Sequence, residues 1–323
     1  MKALIFQQTG VAENVLSLQE APAPQPGPGE VLIRVKASPV NPSDHFFIRG
    51  TYRFKPVFPQ IAGLEGAGIV EAVGEGVSVP PGSLVCFDVR GAWAEYVVAP
   101  ESAVVMLPAD FPLEKAAQFY LNPFTAWCLL DAAAVSPGDW LCVTAASAAV
   151  SKIVLQLAQS RGVHVIATVH NSRAKATLAG LRPDAVLDQD TVDFAQKILE
   201  ITGGAGLNAA LDAVGGKTGT QLLDCMAVNA KMIVYGLLSP DAVTYHNPRL
   251  IYKNLTISGF GIRGALASQT PSTRQAMIGA LIAEISKPGF ILPVAGSFSF
   301  RQFGEALKAD AEGGRKGKII FKT

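Results

Sequence analysis

The chain has 323 residues, of which 49% are hydrophobic and 16% are charged, with 27 Lys and Arg against 26 Asp and Glu. A chain of this length is expected to hold two domains. Its apolar content excludes intrinsic disorder, which is typical of chains with few hydrophobic residues and a high net charge. The formal charge of +1 provides no basic excess to neutralise a phosphate backbone, so we predict no nucleic-acid partner.

The first ten residues lack the apolar core of a signal peptide. Gly, Pro or charged residues interrupt every apolar run before it reaches the roughly 18 residues of a membrane span. The cysteines are widely spaced and form no CxxC pair, a pattern typical of scattered core thiols. We therefore expect a soluble, cytoplasmic protein without a membrane partner.

Taken in chain order, residues 1–116 predict a compact all-β unit. Turns rich in Pro and Gly, such as Pro22–Gly29 and Val79–Gly82, separate short apolar runs, and few segments have a helical period. The expected strands are Ala3–Phe6, Val31–Ala37, Gly68–Val73, Leu84–Phe87 and Ala94–Val98.

Residues 117–256 predict strands that alternate with helices, which is typical of a parallel sheet covered on both faces. The apolar runs that predict strands are Leu141–Thr144, Val163–Val169, Ala185–Leu187, Ala209–Val214 and Met232–Leu237. The stretches between them that predict helices are Val150–Ser160, Lys175–Leu181, Phe194–Ile201 and Gln221–Met226. Farther along, Gln275–Ile285 predicts a helix and Ile319–Phe321 a strand.

The first strand-to-helix turn of the middle segment is where a dinucleotide fold places the pyrophosphate, because free amides and the helix dipole favour an anion. The usual fingerprint needs glycines for the tight turn and for close backbone approach. This chain has Ala149-Val150-Ser151 where Gly-x-Gly is expected. The candidate cofactor-binding residues are Ser147, Ala148, Ala149 and Val150. The alternative is an apolar packing turn in a fold that has lost its nucleotide.

The end of the next strand indicates which cofactor is bound. An acidic residue there bonds the ribose of NAD, whereas a basic residue suits the 2′-phosphate of NADP. The strand is followed by basic and polar residues and no acid: His170, Asn171, Ser172, Arg173 and Lys175. We therefore predict an NADPH site in which Arg173 or Lys175 binds the phosphate; a solvated basic helix face is the alternative.

Several motifs stand in a consistent order over essentially the whole chain: Asn41–Asp44, Ile48–Tyr52, Gly63–Gly68, Leu121–Ala126, Asp212–Gly216 and Gly317–Ile319. Together they resemble the zinc-independent branch of the medium-chain dehydrogenase/reductase superfamily. The resemblance implies an α/β protein with a GroES-like β domain (residues 1–116 with 257–323) and a Rossmann domain with a doubly wound parallel sheet that binds NADPH (residues 117–256).

Two zinc-free groups compete within this resemblance. Asn41–Asp44, the pair Asn122-Pro123 and the segment Leu255–Ile262 look more like the 2-enoyl thioester reductases, whereas the overall length also suits the NADPH:quinone oxidoreductases. We therefore expect an NADPH-dependent enzyme that reduces an activated C=C bond of a small molecule. A quinone reductase and a catalytically silent NADPH sensor are the alternatives.

A zinc site is not expected. The zinc alcohol dehydrogenases of this superfamily have ligands where this chain has Asn41, Leu64 and Leu121, which offer neither thiolate nor imidazole. The four-cysteine lobe that holds structural zinc is missing as well. We predict that the protein has no metal site.

Without a metal, another group must stabilise the negative charge that forms on the substrate oxygen. The resemblance implies that in the enoyl reductases a tyrosine in the loop that matches Ile48–Tyr52 does so, and Tyr52 stands at the matching position. A phenol with the ordinary pKa of about 10 is protonated at neutral pH and can donate. Tyr52 is therefore the predicted catalytic residue, and a tyrosine that only packs its loop is the alternative.

The resemblance also implies further cofactor contacts. Two residues, Asn122 and Thr125, resemble those that bind the nicotinamide ribose and carboxamide, and Asn41 is expected to orient the cofactor amide. The remaining candidates are Tyr235, Gly236, Leu237, Leu238, Phe260, Gly261, Ile262 and Lys318. A homodimer is also expected, paired through an edge strand near Asn254–Ser258.

Overall fold

The computed structural model describes residues 1–191, 193–312 and 315–323. It divides into two compact units: unit 1 comprises residues 1–121 and 292–323, and unit 2 comprises residues 122–291. The middle domain predicted from the sequence ends at residue 256. Unit 2 extends farther because helical residues beyond that point pack on it; the Met277 sulfur, for example, lies 4.0 Å from the Cys128 sulfur.

The strands and helices of the described residues are numbered in chain order. The strands are β1 (Lys2–Phe6), β2 (Ser17–Glu20), β3 (Glu30–Pro39), β4 (Gln60–Ile61), β5 (Glu65–Val73), β6 (Leu84–Asp88), β7 (Tyr96–Pro100), β8 (Val104–Met106), β9 (Trp140–Val143), β10 (His164–Val169), β11 (Ala185–Asp188), β12 (Leu207–Asp212), β13 (Met226–Val234), β14 (Thr256–Gly259), β15 (Val294–Phe298) and β16 (Lys318–Lys322). The α-helices are α1 (Ala12–Val15), α2 (Pro42–Ile48), α3 (Leu113–Ala117), α4 (Leu121–Ala133), α5 (Ala149–Ser160), α6 (Ser172–Ala176), α7 (Phe194–Ile201), α8 (Gly216–Asp224), α9 (Asn247–Lys253), α10 (Ile262–Ala267), α11 (Pro271–Ser286) and α12 (Phe303–Ala311).

Unit 1 is built on a mostly antiparallel sheet with the order β15-β16-β3-β5-β6-β8, in which β7 also pairs with β3. A smaller sheet, β2-β1-β4, lies in the same unit. The apolar, largely β-branched run of β3 is buried along most of its length, which is why this strand takes a central place in the sheet. Large aromatic side chains fill the core, among them Phe6, Phe47, Phe87, Trp93 and Phe321.

Unit 2 carries a parallel sheet with the order β11-β10-β9-β12-β13-β14. This is the strand order of a Rossmann fold, in which the third strand of the sheet in chain order, β11, lies at one edge and the sixth, β14, at the other. The strands β9 and β10 are almost entirely buried, as expected for a sheet covered on both faces. The predicted doubly wound parallel sheet is confirmed.

The helix α5 connects the first two strands of this sheet. It ends in a Schellman motif, because Gly162 has a φ of +73° and the Val163 amide donates to the Ala158 carbonyl at 3.0 Å. The next helix, α6, is shorter than the predicted Lys175–Leu181 and begins earlier. The side chain of Asn171 caps its N-terminus by accepting from the Ala174 amide at 2.8 Å, which fixes where it starts.

Candidate cofactor site and active site

The predicted cofactor residues of unit 2 that lie beyond α4 follow the carboxyl ends of strands. The turn from β9 to α5, the basic segment after β10, the residues after β13 and those after β14 all come directly after their strands. Since the strands run parallel, their carboxyl ends lie at the same edge of the sheet. The strand order reverses between β9 and β12, and doubly wound sheets bind ligands at such a switch point.

At the centre of that edge, the turn from β9 leads directly into α5. Ala148 precedes the helix in an extended conformation without a side-chain cap. The amides of the first three helical residues have no acceptor within the helix, and the dipole adds positive charge there. Ser147, Ala148, Ala149 and Val150 are half-buried. The turn therefore keeps the donors of an anion site although it has no glycine.

The missing glycine at position 151 has a specific structural consequence. The Ser151 side chain is fully buried, and its hydroxyl lies 3.0 Å from the phenol oxygen of Tyr235 and 3.4 Å from the Thr144 carbonyl oxygen. Burial raises the pKa of the Tyr235 phenol to about 12, so this group stays protonated at neutral pH. The side chain that replaces the glycine hydrogen is thus directed into the protein and joins α5 to the end of β13.

A second polar link spans the switch point itself. The Thr144 hydroxyl donates to the Asp212 carboxylate at 3.0 Å and accepts from the Ala213 amide at 2.8 Å. The same carboxylate accepts from the amides of Val214 and Gly215 at 2.9 and 3.1 Å. These bonds fix the turn after β12 beside the turn after β9.

The basic segment after β10 lies open to solvent. Its members His170, Asn171, Ser172, Arg173 and Lys175 are all exposed. Asn171 is engaged in capping α6, which holds the first turn of that helix in place. The two exposed cations, Arg173 and Lys175, offer permanent positive charge at a strand end where the sequence has no acid.

Two further strand ends complete this edge. After β13, Tyr235 and Gly236 are half-buried whereas Leu237 and Leu238 are exposed. A Cβ at Gly236 would lie 2.5 Å from the Ala213 carbonyl oxygen, so only glycine fits there. After β14, the Phe260 amide donates to the Val234 carbonyl at 2.8 Å, which holds the segment that continues into Gly261 and Ile262 beside β13.

The residues Asn122 and Thr125 lie in the first turns of α4, three positions apart. This spacing places their side chains on one face of the helix. Both residues are half-buried. The structure thus brings the two predicted nicotinamide contacts together.

Unit 1 contains a buried cluster of charged and polar side chains, made of Asn41, Asp44, Glu65 and Lys318. The Asn41 side-chain amide donates to Glu65 at 2.9 Å, and its carbonyl oxygen accepts a hydrogen bond from the Lys318 ammonium. The other Glu65 oxygen accepts from the Leu121 amide at 2.7 Å. Asp44 accepts from the Asn41 amide at 2.7 Å, which closes the first turn of α2. All four side chains are nearly inaccessible to solvent.

Burial dominates the electrostatics of this cluster. It raises the pKa of Glu65 to about 7 and that of Asp44 to about 7, because the nearby Lys318 ammonium and the hydrogen bonds only partly offset the loss of hydration. For the same reason the pKa of Lys318 is lowered. The cluster therefore contains groups whose protonation changes near neutral pH.

The predicted catalytic residue Tyr52 lies four residues after the end of α2. Its amide donates to the Phe46 carbonyl at 3.1 Å, and its ring packs at 5.0 Å from the Phe54 ring in an edge-to-face arrangement. The Arg53 guanidinium lies over the same ring, 4.8 Å from its centre. Tyr52 is thus a half-buried side chain in a loop anchored to α2.

The comparisons with known proteins agree with this geometry. Residues 27–109 match the family described as alcohol dehydrogenase GroES-like domain, and residues 149–281 match the family described as zinc-binding dehydrogenase. The mitochondrial enoyl-acyl-carrier-protein reductase of Dictyostelium discoideum is 30% identical over 304 residues, which cover 90% of this chain and 86% of that protein. The chain belongs to the medium-chain dehydrogenase/reductase superfamily. It lies in the zinc-independent branch, and the predicted combination of GroES-like and Rossmann folds is confirmed.

Further relatives of this superfamily cover nearly the same length. The quinone oxidoreductase of Sus scrofa is 31% identical over 289 residues, covering 88% of this chain and 85% of that protein. A solved mycobacterial quinone oxidoreductase superimposes with a TM-score of 0.89 at 29% identity, with full coverage of both chains. A mycobacterial protein solved in complex with NADPH superimposes with a TM-score of 0.84, also at 29% identity and full coverage.

The positions that bind zinc in other members of the superfamily have other uses in this structure. Asn41 belongs to the buried cluster, Leu64 packs in the core of unit 1, and the Leu121 amide is bound to Glu65. Within residues 1–191, 193–312 and 315–323, no group of three or more His, Cys, Asp and Glu side chains could hold a metal ion. The sequence-based expectation of a metal-free enzyme stays a prediction.

Three residues of the polar contacts described above were not among the site residues predicted from the sequence: Thr144, Asp212 and Glu65. Asp212 carries a usable signal, because an acid at the end of a buried strand, followed by small residues and two glycines, is typical of a side chain that fixes its own turn. Glu65 has a weaker signal, since its role depends on contacts with residues far along the chain.

Proposed function

We propose that the chain is an NADPH-dependent reductase that transfers hydride from the nicotinamide to an activated C=C bond, in a 2-enoyl thioester or an enone. The observation that carries the proposal is the alignment with a curated enoyl reductase over 90% of the chain. The Rossmann strand order, with the predicted cofactor positions at the strand ends, supports it. In this reaction NADPH supplies the hydride, and the chain's own residues bind and orient the reactants and provide a proton.

The residues of unit 2 fit NADPH. The amides at the start of α5 suit a pyrophosphate. Arg173 and Lys175 suit the additional phosphate of NADPH, because both are exposed basic residues in a segment that contains no acid. We propose that Asn122 and Thr125 hold the nicotinamide half of the cofactor, at the end opposite to the additional phosphate. Asn41 and Lys318 remain proposed cofactor residues of unit 1, where their side chains bond to each other.

We propose that the Tyr52 hydroxyl donates a hydrogen bond to the substrate oxygen, or a proton to the carbon next to that carbonyl, as charge develops there. The attachment of its loop to α2 supports this role, since a catalytic donor must be held in place before the reaction. A protonated phenol can stabilise an enolate oxygen without a metal ion. The proposal therefore assigns the chemistry to one side chain of unit 1.

The test measures NADPH oxidation at fixed enzyme concentration against short and long 2-enoyl thioesters, simple enones and simple quinones. We expect the highest kcat/KM on an enoyl thioester or an enone. Turnover of quinones alone would favour quinone reduction, which the similarity to the Sus scrofa quinone oxidoreductase supports as the second candidate. Micromolar NADPH binding without turnover of any of these compounds would favour an NADPH-sensing protein, for which the glycine-free turn is the argument.

We also propose a homodimer formed through the edge of the unit 2 sheet. Strand β14 lies at that edge, and exposed apolar side chains, among them Ile251, Tyr252 and Ile257, surround it. Light scattering after gel filtration should give twice the chain mass, and Ile257→Lys should yield monomers. A monomeric wild-type protein would contradict this part of the proposal.

None of the helices in the described residues is long and apolar enough to cross a membrane. We propose a cytoplasmic location, which the buried, unpaired state of the described cysteines supports. Cell fractionation with an antibody against the chain should place it in the cytosolic fraction. Recovery in an organelle would contradict this location.

A further inference from the structure

Lys152 is the fourth residue of α5, and its side chain is only 6% exposed. No acceptor among residues 1–191, 193–312 and 315–323 lies within hydrogen-bond or ion-pair distance of its ammonium group. Burial lowers the pKa of this lysine below its ordinary value of 10.5. An ammonium group that has lost most of its hydration and has no acceptor in the described residues would be stabilised by a bound anion.

The helix geometry gives the direction of this side chain. Every Cα–Cβ bond of an α-helix tilts towards the N-terminus, and long side chains cover the turn that precedes their own residue. For the fourth residue of α5, that turn contains the amides of Ala149 and Val150. The general geometry of helices therefore predicts that the Lys152 side chain lies over the first turn of α5, at the end of the helix that favours an anion.

The same turn lacks the glycines that allow a pyrophosphate to approach the backbone closely. Ala148 and Ala149 each add a Cβ there. At position 151 the space that a glycine would leave open is filled by the Ser151 side chain, which is hydrogen-bonded to Tyr235. A cation on a long side chain can reach an anion that the backbone amides hold less closely. Lysine is suited to this task because it binds phosphate as a flexible point charge.

We propose that Lys152 binds the pyrophosphate of the nicotinamide cofactor. Its ammonium group then supplies positive charge to the pyrophosphate from a side chain instead of from a glycine-rich backbone. The inference rests on the proposed function, because it requires that a dinucleotide binds at this turn. It separates two phosphate contacts: Lys152 serves the pyrophosphate, which NADPH and NADH share, whereas Arg173 and Lys175 serve the phosphate that only NADPH carries.

The test is cofactor binding by Lys152→Met, which keeps the aliphatic length of the side chain and removes its charge. Dissociation constants for NADPH and NADH are measured by fluorescence titration of the full-length protein. We expect both constants to rise by about tenfold or more and by the same factor, since one charged contact common to both is lost. Lys197→Met is the matched control, because Lys197 is exposed on α7 and pairs with Glu200; its constants should equal those of the wild type.

Thermal unfolding without cofactor distinguishes loss of a contact from loss of the fold. The Lys152→Met protein should unfold at the wild-type temperature or above it, because the substitution removes a charge from a largely buried residue that has no acceptor in the described part of the chain. Should that variant fail to fold, Lys152→Gln provides the same comparison.

Unchanged constants in the variant would overturn the inference while leaving the proposed function intact. A loss confined to NADPH would also overturn it, because Lys152 would then contact the 2′-phosphate. If the wild type binds neither NADPH nor NADH, the proposed function fails, and this inference fails with it.

Discussion

The hydroxyl of Ser151 lies 3.0 Å from the phenol oxygen of Tyr235, and this contact joins the first turn of α5 to the residue that follows β13. In a typical dinucleotide fold the corresponding position is glycine, which allows the backbone to approach the pyrophosphate closely. Here a buried hydrogen bond takes that place. The cofactor turn is therefore held by a side-chain contact that can be removed by mutation.

Removing either partner should destabilise the protein. We expect Ser151→Ala and Tyr235→Phe each to lower the free energy of unfolding by about 1 kcal/mol, because each leaves a buried hydroxyl with fewer partners. The double variant should lose less than the sum of the two, with a coupling energy of roughly 0.5–1 kcal/mol. Urea denaturation of the four proteins measures this cycle, and strictly additive losses would show that the contact contributes no stability.

Tyr52→Phe tests the catalytic assignment. We expect kcat on the best enoyl thioester or enone to fall by roughly 10²-fold or more, since one positioned proton donor is lost. The dissociation constant for NADPH should stay within about twofold of the wild type. Tyr245→Phe serves as the control, because Tyr245 is an exposed tyrosine of unit 2. Equal turnover by Tyr52→Phe and the control would remove Tyr52 from the mechanism.

Arg173→Ala and Lys175→Ala test the choice of cofactor. Each should weaken NADPH binding by about tenfold while changing NADH binding little, because only NADPH presents a phosphate to these cations. Fluorescence titration with both cofactors gives the ratio of the constants directly. If NADPH and NADH weaken to the same extent in both variants, the 2′-phosphate is bound elsewhere.

The buried cluster of unit 1 predicts how stability depends on pH. Glu65 and Asp44 have ordinary pKa values of 4.5 and 3.8, and burial raises both to about 7. Between about pH 4 and pH 7 the folded protein therefore binds more protons than the unfolded chain. The free energy of unfolding should fall as the pH rises through this window, by an amount on the order of 3 kcal/mol for a single carboxyl.

Urea denaturation at pH 5, 6 and 7 measures this slope. Glu65→Gln and Asp44→Asn should each reduce it, because a neutral amide does not titrate. Glu71→Gln should leave it unchanged, since Glu71 is exposed and pairs with Arg34 on the surface. A slope equal to that of the wild type in both cluster variants would show that these carboxyls do not titrate in this range.

Much of the fold could be predicted from the sequence because the responsible signals are local. The amphipathic stretch Val150–Ser160 carries a helical period, and the short apolar run Val163–Val169, rich in β-branched residues, has the length and composition of a buried strand. Their observed counterparts, β10 and α5, agree within a few residues. The helix predicted at Lys175–Leu181 begins too late along the chain. The side chain of Asn171 caps the observed helix and starts it earlier, and this local signal depends on a single residue.

The candidate site was only partly predictable. Residues that follow strand ends, such as Arg173 and Tyr235, could be found because a parallel sheet gathers its carboxyl ends at one edge. The cluster of Asn41, Glu65 and Lys318 could not be derived from local patterns, since Asn41 and Lys318 are separated by 277 residues. Likewise, no pattern in the sequence shows that Ser151 contacts Tyr235, or that the Lys152 ammonium has no acceptor among the described residues.

The pairing of β16 with β3 has a consequence for the order in which the parts of the protein can fold. Unit 1 is assembled from both ends of the described chain, and its strand β3 needs residues 318–322 as a neighbour. During translation, residues 122–291 are made before residues 318–322, so unit 2 can fold as one continuous stretch before unit 1 is complete. Until residues 318–322 are made, the end of β3 that pairs with them is an unpaired strand edge, which is open to pairing with other chains.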